Sequence, residues 1–125
     1  MRNLLLCGVL AFTPAPLLAQ NLAIDHSGVW LGQGVQPDGQ SWEIMLTLRA
    51  DGAIVDYPSV PCSAFWSFSE VTSQSLRATE HLAAGFDACE DGLSLTVMVD
   101  AKGSMTVTWT YPDATSAATA RLTRQ

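Results

Sequence analysis

The sequence predicts an all-β chain, a single antiparallel up-and-down β-barrel of about eight strands held by one disulfide. Three observations predict it. Apolar residues recur with a period of two along almost the whole chain, and nowhere is there a sustained helical stripe. Turn-forming residues interrupt that alternation roughly every 10 to 15 residues, the spacing of a hairpin meander. Two cysteines remain once an N-terminal leader is removed, enough for one covalent clasp. A meander of this kind hides its edges best by closing, first strand against eighth. Eight strands enclose an interior that side chains just fill, or that holds one small ligand. A two-sheet sandwich is the alternative, but the hairpin connectivity lacks the long crossovers of a Greek key.

Residues 1–19 read as a cleaved secretory signal peptide, and residues 20–125 as the β-barrel domain. Met1-Arg2-Asn3 opens the chain, an apolar run over residues 4–12 follows, and Ala19 precedes the polar Gln20. The apolar run is shorter than the about 20 residues that span a bilayer. Cleavage after Ala15 would leave Pro16 first, which disfavours it. A lipoprotein anchor at Cys7 fails because Leu6 is not small and almost no apolar segment precedes it. The chain is therefore expected to be secreted or periplasmic, with no membrane insertion after cleavage.

The first strand lies within residues 27–36, around Gly28-Val29-Trp30-Leu31-Gly32. In the second, Trp42, Ile44, Leu46 and Leu48 alternate with Ser41, Glu43, Met45, Thr47 and Arg49, a half-buried pattern. Asp38-Gly39 and Asp51-Gly52 flank it as turns, since such positions favour residues that tolerate positive φ. The third strand, residues 53–57, ends where Pro58 removes a ladder donor. A fourth begins at Cys62 and holds Ala64, Phe65, Trp66 and Phe68, with its facing ambiguous because Phe65 breaks the alternation. The fifth, residues 75–82, sets Leu76, Ala78, Glu80 and Leu82 on one face against Arg77, Thr79 and His81 on the other. After the irregular stretch 83–92, a sixth strand turns Leu93, Leu95, Val97 and Val99 inward. The seventh alternates Met105, Val107, Trp109 and Tyr111 with Ser104, Thr106, Thr108 and Thr110. Ala118, Ala120 and Leu122 face inward from the eighth, beyond the Pro112-Asp113 turn.

Removing Arg2 with the leader leaves five basic residues against twelve acidic ones, a net charge of −7. Nucleic-acid affinity rests on Lys and Arg neutralising phosphates, so nucleic acid is excluded as a partner. Anionic membrane surfaces are excluded on the same ground. The mature chain is one small domain, expected to be a monomer. Its two cysteines, Cys62 and Cys89, pair in an oxidising compartment and close a loop of 28 residues. That closure contributes roughly 3 to 4 kcal/mol. Zinc is the rival use of two thiols, but CxxC spacing and nearby histidines are missing.

No nucleophile elbow, phosphate loop, metal-binding helix or dinucleotide fingerprint is present, so no cofactor is implied. Only His26 and His81 are available as bases, and His81 falls on a polar strand face. Asp87, Glu90 and Asp91 crowd the stretch around Cys89, yet their spacing departs from a calcium loop, and no metal is expected. Glu80 shares the inward parity of its strand, so its charge needs a partner or a place near water. Trp30, Trp42, Trp66 and Trp109 all fall within strands, where they either fill the core or line a cavity.

Gly28-Val29-Trp30 at the head of an eight-stranded meander resembles the opening of lipocalins and avidins. A longer pattern runs through Trp30-Leu31-Gly32, Tyr57-Pro58-Ser59 with Cys62, Glu80, Cys89-Glu90-Asp91-Gly92, Trp109 and Leu122-Thr123-Arg124. It resembles a group of small exported bacterial β-barrel domains of unknown function, with Pro61 standing where that group often has Gly. The resemblance implies a disulfide and a β-rich barrel, and no established activity. A looser similarity is to periplasmic metalloprotease inhibitors, which act through an extended N-terminal segment, here residues 20–27.

These readings converge on a non-enzymatic binding module in the periplasm or cell envelope, taking an unknown protein or small-molecule ligand. The binding rim is expected at the barrel mouth, from residues 57–62 and 83–92, with Tyr57, Pro58, Ser59, Glu80, Trp66 and Trp109 as its candidate residues. The alternative is a protease inhibitor acting through its N-terminal segment.

Overall fold

A computed structural model describes residues 21–125. The expected leader with Cys7, the expected cleavage site after Ala19 and Gln20 itself lie outside the described residues. Beyond a short helix α1 (Leu22–Asp25) come β1 (Gly28–Val35), β2 (Ser41–Arg49), β3 (Gly52–Tyr57), β4 (Cys62–Val71), β5 (Ser75–Ala84), β6 (Ser94–Val99), β7 (Met105–Thr110) and β8 (Ser116–Arg124). Each strand pairs with the next, and β1 meets β8 from Trp30 opposite Arg124 to Val35 opposite Thr119, closing the barrel.

The period of two decides which residues fill the interior. Ile44, Leu46 and Leu48 on β2, Val55 on β3, Leu76 and Ala78 on β5, Leu95 and Val97 on β6, and Met105 and Val107 on β7 are all buried. Burying a Leu- or Val-sized side chain stabilises by about 1.5–3 kcal/mol, so this stack is the main favourable contribution. β4 resolves its ambiguity in favour of Ala64 and Trp66 inward. Phe65 points outward, 47% exposed, and stacks on His81 with ring centroids 5.0 Å apart. Register shifts interrupt the β4–β5 ladder between Ser63 and Ala64 and between Phe68 and Glu70. Strict alternation therefore fades toward the end of β4.

The two ends of the barrel differ. At one end α1 crosses the opening and touches both β2 and β5. Asn21 caps it, its Oδ1 accepting from the Ile24 amide at 2.8 Å. Four residues cannot sustain a helix by propensity. What holds this one is burial of Leu22 and Ala23, both 0% exposed, and a bond from the Leu22 amide to the Thr72 carbonyl at 2.8 Å. Trp30 lies just above, its indole donating to the His26 carbonyl at 2.9 Å, with the Arg124 guanidinium 5.8 Å from the ring centroid. Residues 21–26 are thus a folded stopper and not an extended arm.

The opposite end carries the turns β1–β2, β3–β4 and β7–β8 and the long β5–β6 loop. Cys62, opening β4, is bonded to Cys89 in that loop, with Cα atoms 6.4 Å apart. Gly85 lets the loop approach so closely. A Cβ there would lie 2.1 Å from the Pro61 carbonyl oxygen, and its φ of +83° is itself one that favours glycine.

Candidate functional site

The unstoppered end holds a cavity of about 290 Å³. This is at the small end of the about 300–1,000 Å³ usual for ligand sites. Its walls are Trp42 from β2, Tyr57 from β3, Trp109 from β7 and Tyr111 just beyond it. Val60, Leu93, Ala117 and Ala118 add apolar surface, while Gln36, Gln40 and Ser41 line the rim. Glu80 forms the floor, and Ala88, Cys89 and Glu90 of the β5–β6 loop complete the circle.

The aromatic wall is built by strand register. Trp42 lies opposite Gly34 of β1, and a Cβ on Gly34 would fall 2.5 Å from the indole, so glycine gives the ring room to lie across the neighbouring strand. Trp42 then meets Tyr57 edge-on at 6.3 Å and Trp109 at 6.1 Å, and Trp109 meets Trp66 edge-on at 6.3 Å. Centroid spacings of this kind contribute about 0.5–1.5 kcal/mol each beyond burial.

Glu80 is the buried charged residue of the described structure, 4% exposed. It lies directly opposite Trp66 in the β4–β5 ladder. Its Oε2 accepts from the Trp66 indole at 2.9 Å and from the Tyr57 phenol. The two lone pairs of that one oxygen are thus both engaged. Burial, with the Glu80 charge next in weight, pushes ionisation of the Tyr57 phenol far above its usual range, so that it stays a donor. At the rim, Tyr111 donates to Glu90 Oε1 at 3.3 Å, and the Glu90 charge raises the Tyr111 phenol as well.

Of the six residues expected at the rim, the fold brings four together in the interior. Tyr57, Glu80 and Trp109 line the cavity, and Trp66 supports Glu80 from below. Pro58 and Ser59 are on the outer side of the β3–β4 turn, where Ser59 Oγ accepts from the Glu43 amide at 2.9 Å. Trp30 sits at the stoppered end. Trp42, Tyr111 and Glu90 are wall residues beyond those six; the sequence marks Trp42 only as one of four tryptophans open to core or cavity and Glu90 only as part of the 83–92 segment. Their shared signal is position, each being near a turn at the same end of the barrel. His81 is on the outer face, its Nε2 2.8 Å from Ser67 Oγ. Asp91 accepts from the Leu82 amide at 2.8 Å, anchoring the loop to β5. Among the described residues no three His, Cys, Asp or Glu side chains converge as a metal site would require.

No family model, curated protein or solved structure matches this chain.

Proposed function

We propose that the chain is an exported, non-enzymatic binding module of lipocalin- and avidin-like build, which takes a small ligand through its single open mouth. The observation that carries this reading is the cavity itself, an aromatic-walled hollow with one carboxylate at its floor. Ligand sites combine mostly apolar walls with few, well-placed polar groups in this way. Binding is favoured over turnover because no histidine lines the wall, and one oxygen of Glu80 is tied to Tyr57 and Trp66. Export is supported by the leader-like residues 1–19 and by a cysteine pair of the kind that persists in oxidising compartments. The likeness to lipocalins and avidins rests on Gly28-Val29-Trp30 opening the first strand of a closed eight-stranded meander.

Trp42 and Trp109 line the cavity, so an occupant should alter tryptophan emission. Titration with a panel of lipids, haem, sugars, peptides and small amines is expected to give a saturable change for one class. Flat titrations across the whole panel would remove the small-ligand reading. A protease-inhibiting arm has no observation in its favour, because deploying residues 21–26 would pull Leu22 and Ala23 out of the core.

A further inference from the structure

The chemistry of the floor narrows the ligand class, on the premise that the cavity is a binding site. Glu80 is 4% exposed, and among the described residues its Oε1 accepts no hydrogen bond while Oε2 accepts two. Among the described residues, none around the cavity is Lys, Arg or His. Ion pairs among the described residues, Arg77 with Glu70 and Arg121 with Asp100, are on the outer surface. A buried carboxylate without a cationic partner is costly unless a positive group is supplied. The faces of Trp42 and Trp109 beside it are the best side-chain surfaces for attracting a cation. Glu90 at the rim adds a second negative group, and the net charge of −6 draws cations toward the molecule.

We infer that the cavity takes a small organic cation of the alkylammonium or guanidinium class, which donates an N–H to Glu80 Oε1 and rests its alkyl chain against the wall that Trp42 and Trp109 form. An N–H is the group expected to reach Oε1, which no donor among the described residues engages, and Val60 and Leu93 accommodate an alkyl chain. The binding is non-covalent.

Calorimetric titration of the mature protein with n-butylamine, agmatine, n-butyltrimethylammonium, n-butanol and butyrate tests this, with tryptophan emission followed in parallel. The amine and the guanidinium are expected to bind. The n-butyltrimethylammonium ion, which keeps the charge and the chain but has neither N–H nor O–H, should bind about tenfold or more weakly, and n-butanol and butyrate should give no saturable signal. Glu80→Gln, checked for a cooperative melt, should weaken the amines by about tenfold or more. Should that variant fail to fold, the comparison of charged, neutral and anionic probes on the wild-type protein decides alone. Tighter binding of n-butanol or butyrate than of n-butylamine overturns the cation inference and leaves the binding cavity standing. Equal affinity for n-butyltrimethylammonium and n-butylamine overturns the hydrogen bond to Glu80. Silence from all five probes overturns the inference, and silence from the broader panel as well overturns the cavity reading beneath it.

Discussion

Tyr57 and Glu80 stand 23 residues apart in sequence and two strands apart in the barrel, yet the phenol of one donates directly to the carboxylate of the other. In a flat sheet, strands two apart lie about 10 Å from each other and their side chains stand parallel, which would not favour this contact. Curvature turns β3 and β5 inward past β4, so that side chains of non-neighbouring strands meet in the interior.

Tyr57→Phe removes that donor and keeps the ring. Glu80 then relies on Trp66 alone, and the expected loss is about 1–3 kcal/mol in a urea melt, the usual penalty for leaving a buried polar group short of a partner. An unchanged midpoint would mean that the bond contributes nothing to stability.

Alkaline pH should unfold the protein through the same residue. The unfolded chain ionises its two tyrosines near the ordinary value of 10.0, whereas the fold holds both Tyr57 and Tyr111 above it. Their contribution is fully present below pH 10. As pH rises beyond that value the unfolded state binds fewer protons than the folded one, so stability falls. Tyrosinate absorbance should therefore show Tyr57 ionising only together with the loss of tertiary structure. An ionisation of Tyr57 near pH 10 in a protein that is still folded would contradict the burial argument.

Replacing both Cys62 and Cys89 by Ser should lower stability by roughly 3 to 4 kcal/mol, from the loop-closure entropy of the unfolded chain. It should also weaken ligand binding, because Cys89 and its neighbours Ala88 and Glu90 form one wall of the cavity. Mass spectrometry of the unreduced protein should find Cys62 and Cys89 in one linked peptide pair. Free thiols at both positions would refute the clasp.

The stopper gives a paired test. Leu22→Ala should cost about 2–5 kcal/mol, as for other fully buried leucines, whereas Ile24→Ala, at a side chain 39% exposed, should stay within about 0.5 kcal/mol of wild type. Similar small effects at both positions, read by denaturant melts, would show that residues 21–26 are not part of the folded unit.

The strands were legible because barrel burial enforces one simple rule, and β2 and β7 obey it at every position. Phe65 was not, since two large apolar neighbours in a row leave parity undecided, and what separates them are contacts with other strands, Trp66 bonded to Glu80 inside and Phe65 stacked on His81 outside. The stopper escaped because four residues carry no period to detect. Glu80 illustrates the boundary between the two cases. Parity on β5 placed it inside, but its partners Tyr57 and Trp66 come from other strands, and registers across a barrel are not written in any local pattern. The tryptophans divide for a similar reason. Trp42 and Trp109 wall a hollow while Trp30 and Trp66 are packed solid, and what separates them is height along the barrel axis.

The folded chain also has a polarity. Asn21 begins the stopper, and Gln125, whose amide donates to the Val29 carbonyl at 2.8 Å, ends beside it, with Arg124 bonded to the Ser27 carbonyl. Both ends of the folded unit therefore emerge at the base of a cup whose rim is at the far side. A tag, a fusion partner or a surface attached at either position would grip the molecule by its base, leaving the rim turned outward and unobstructed.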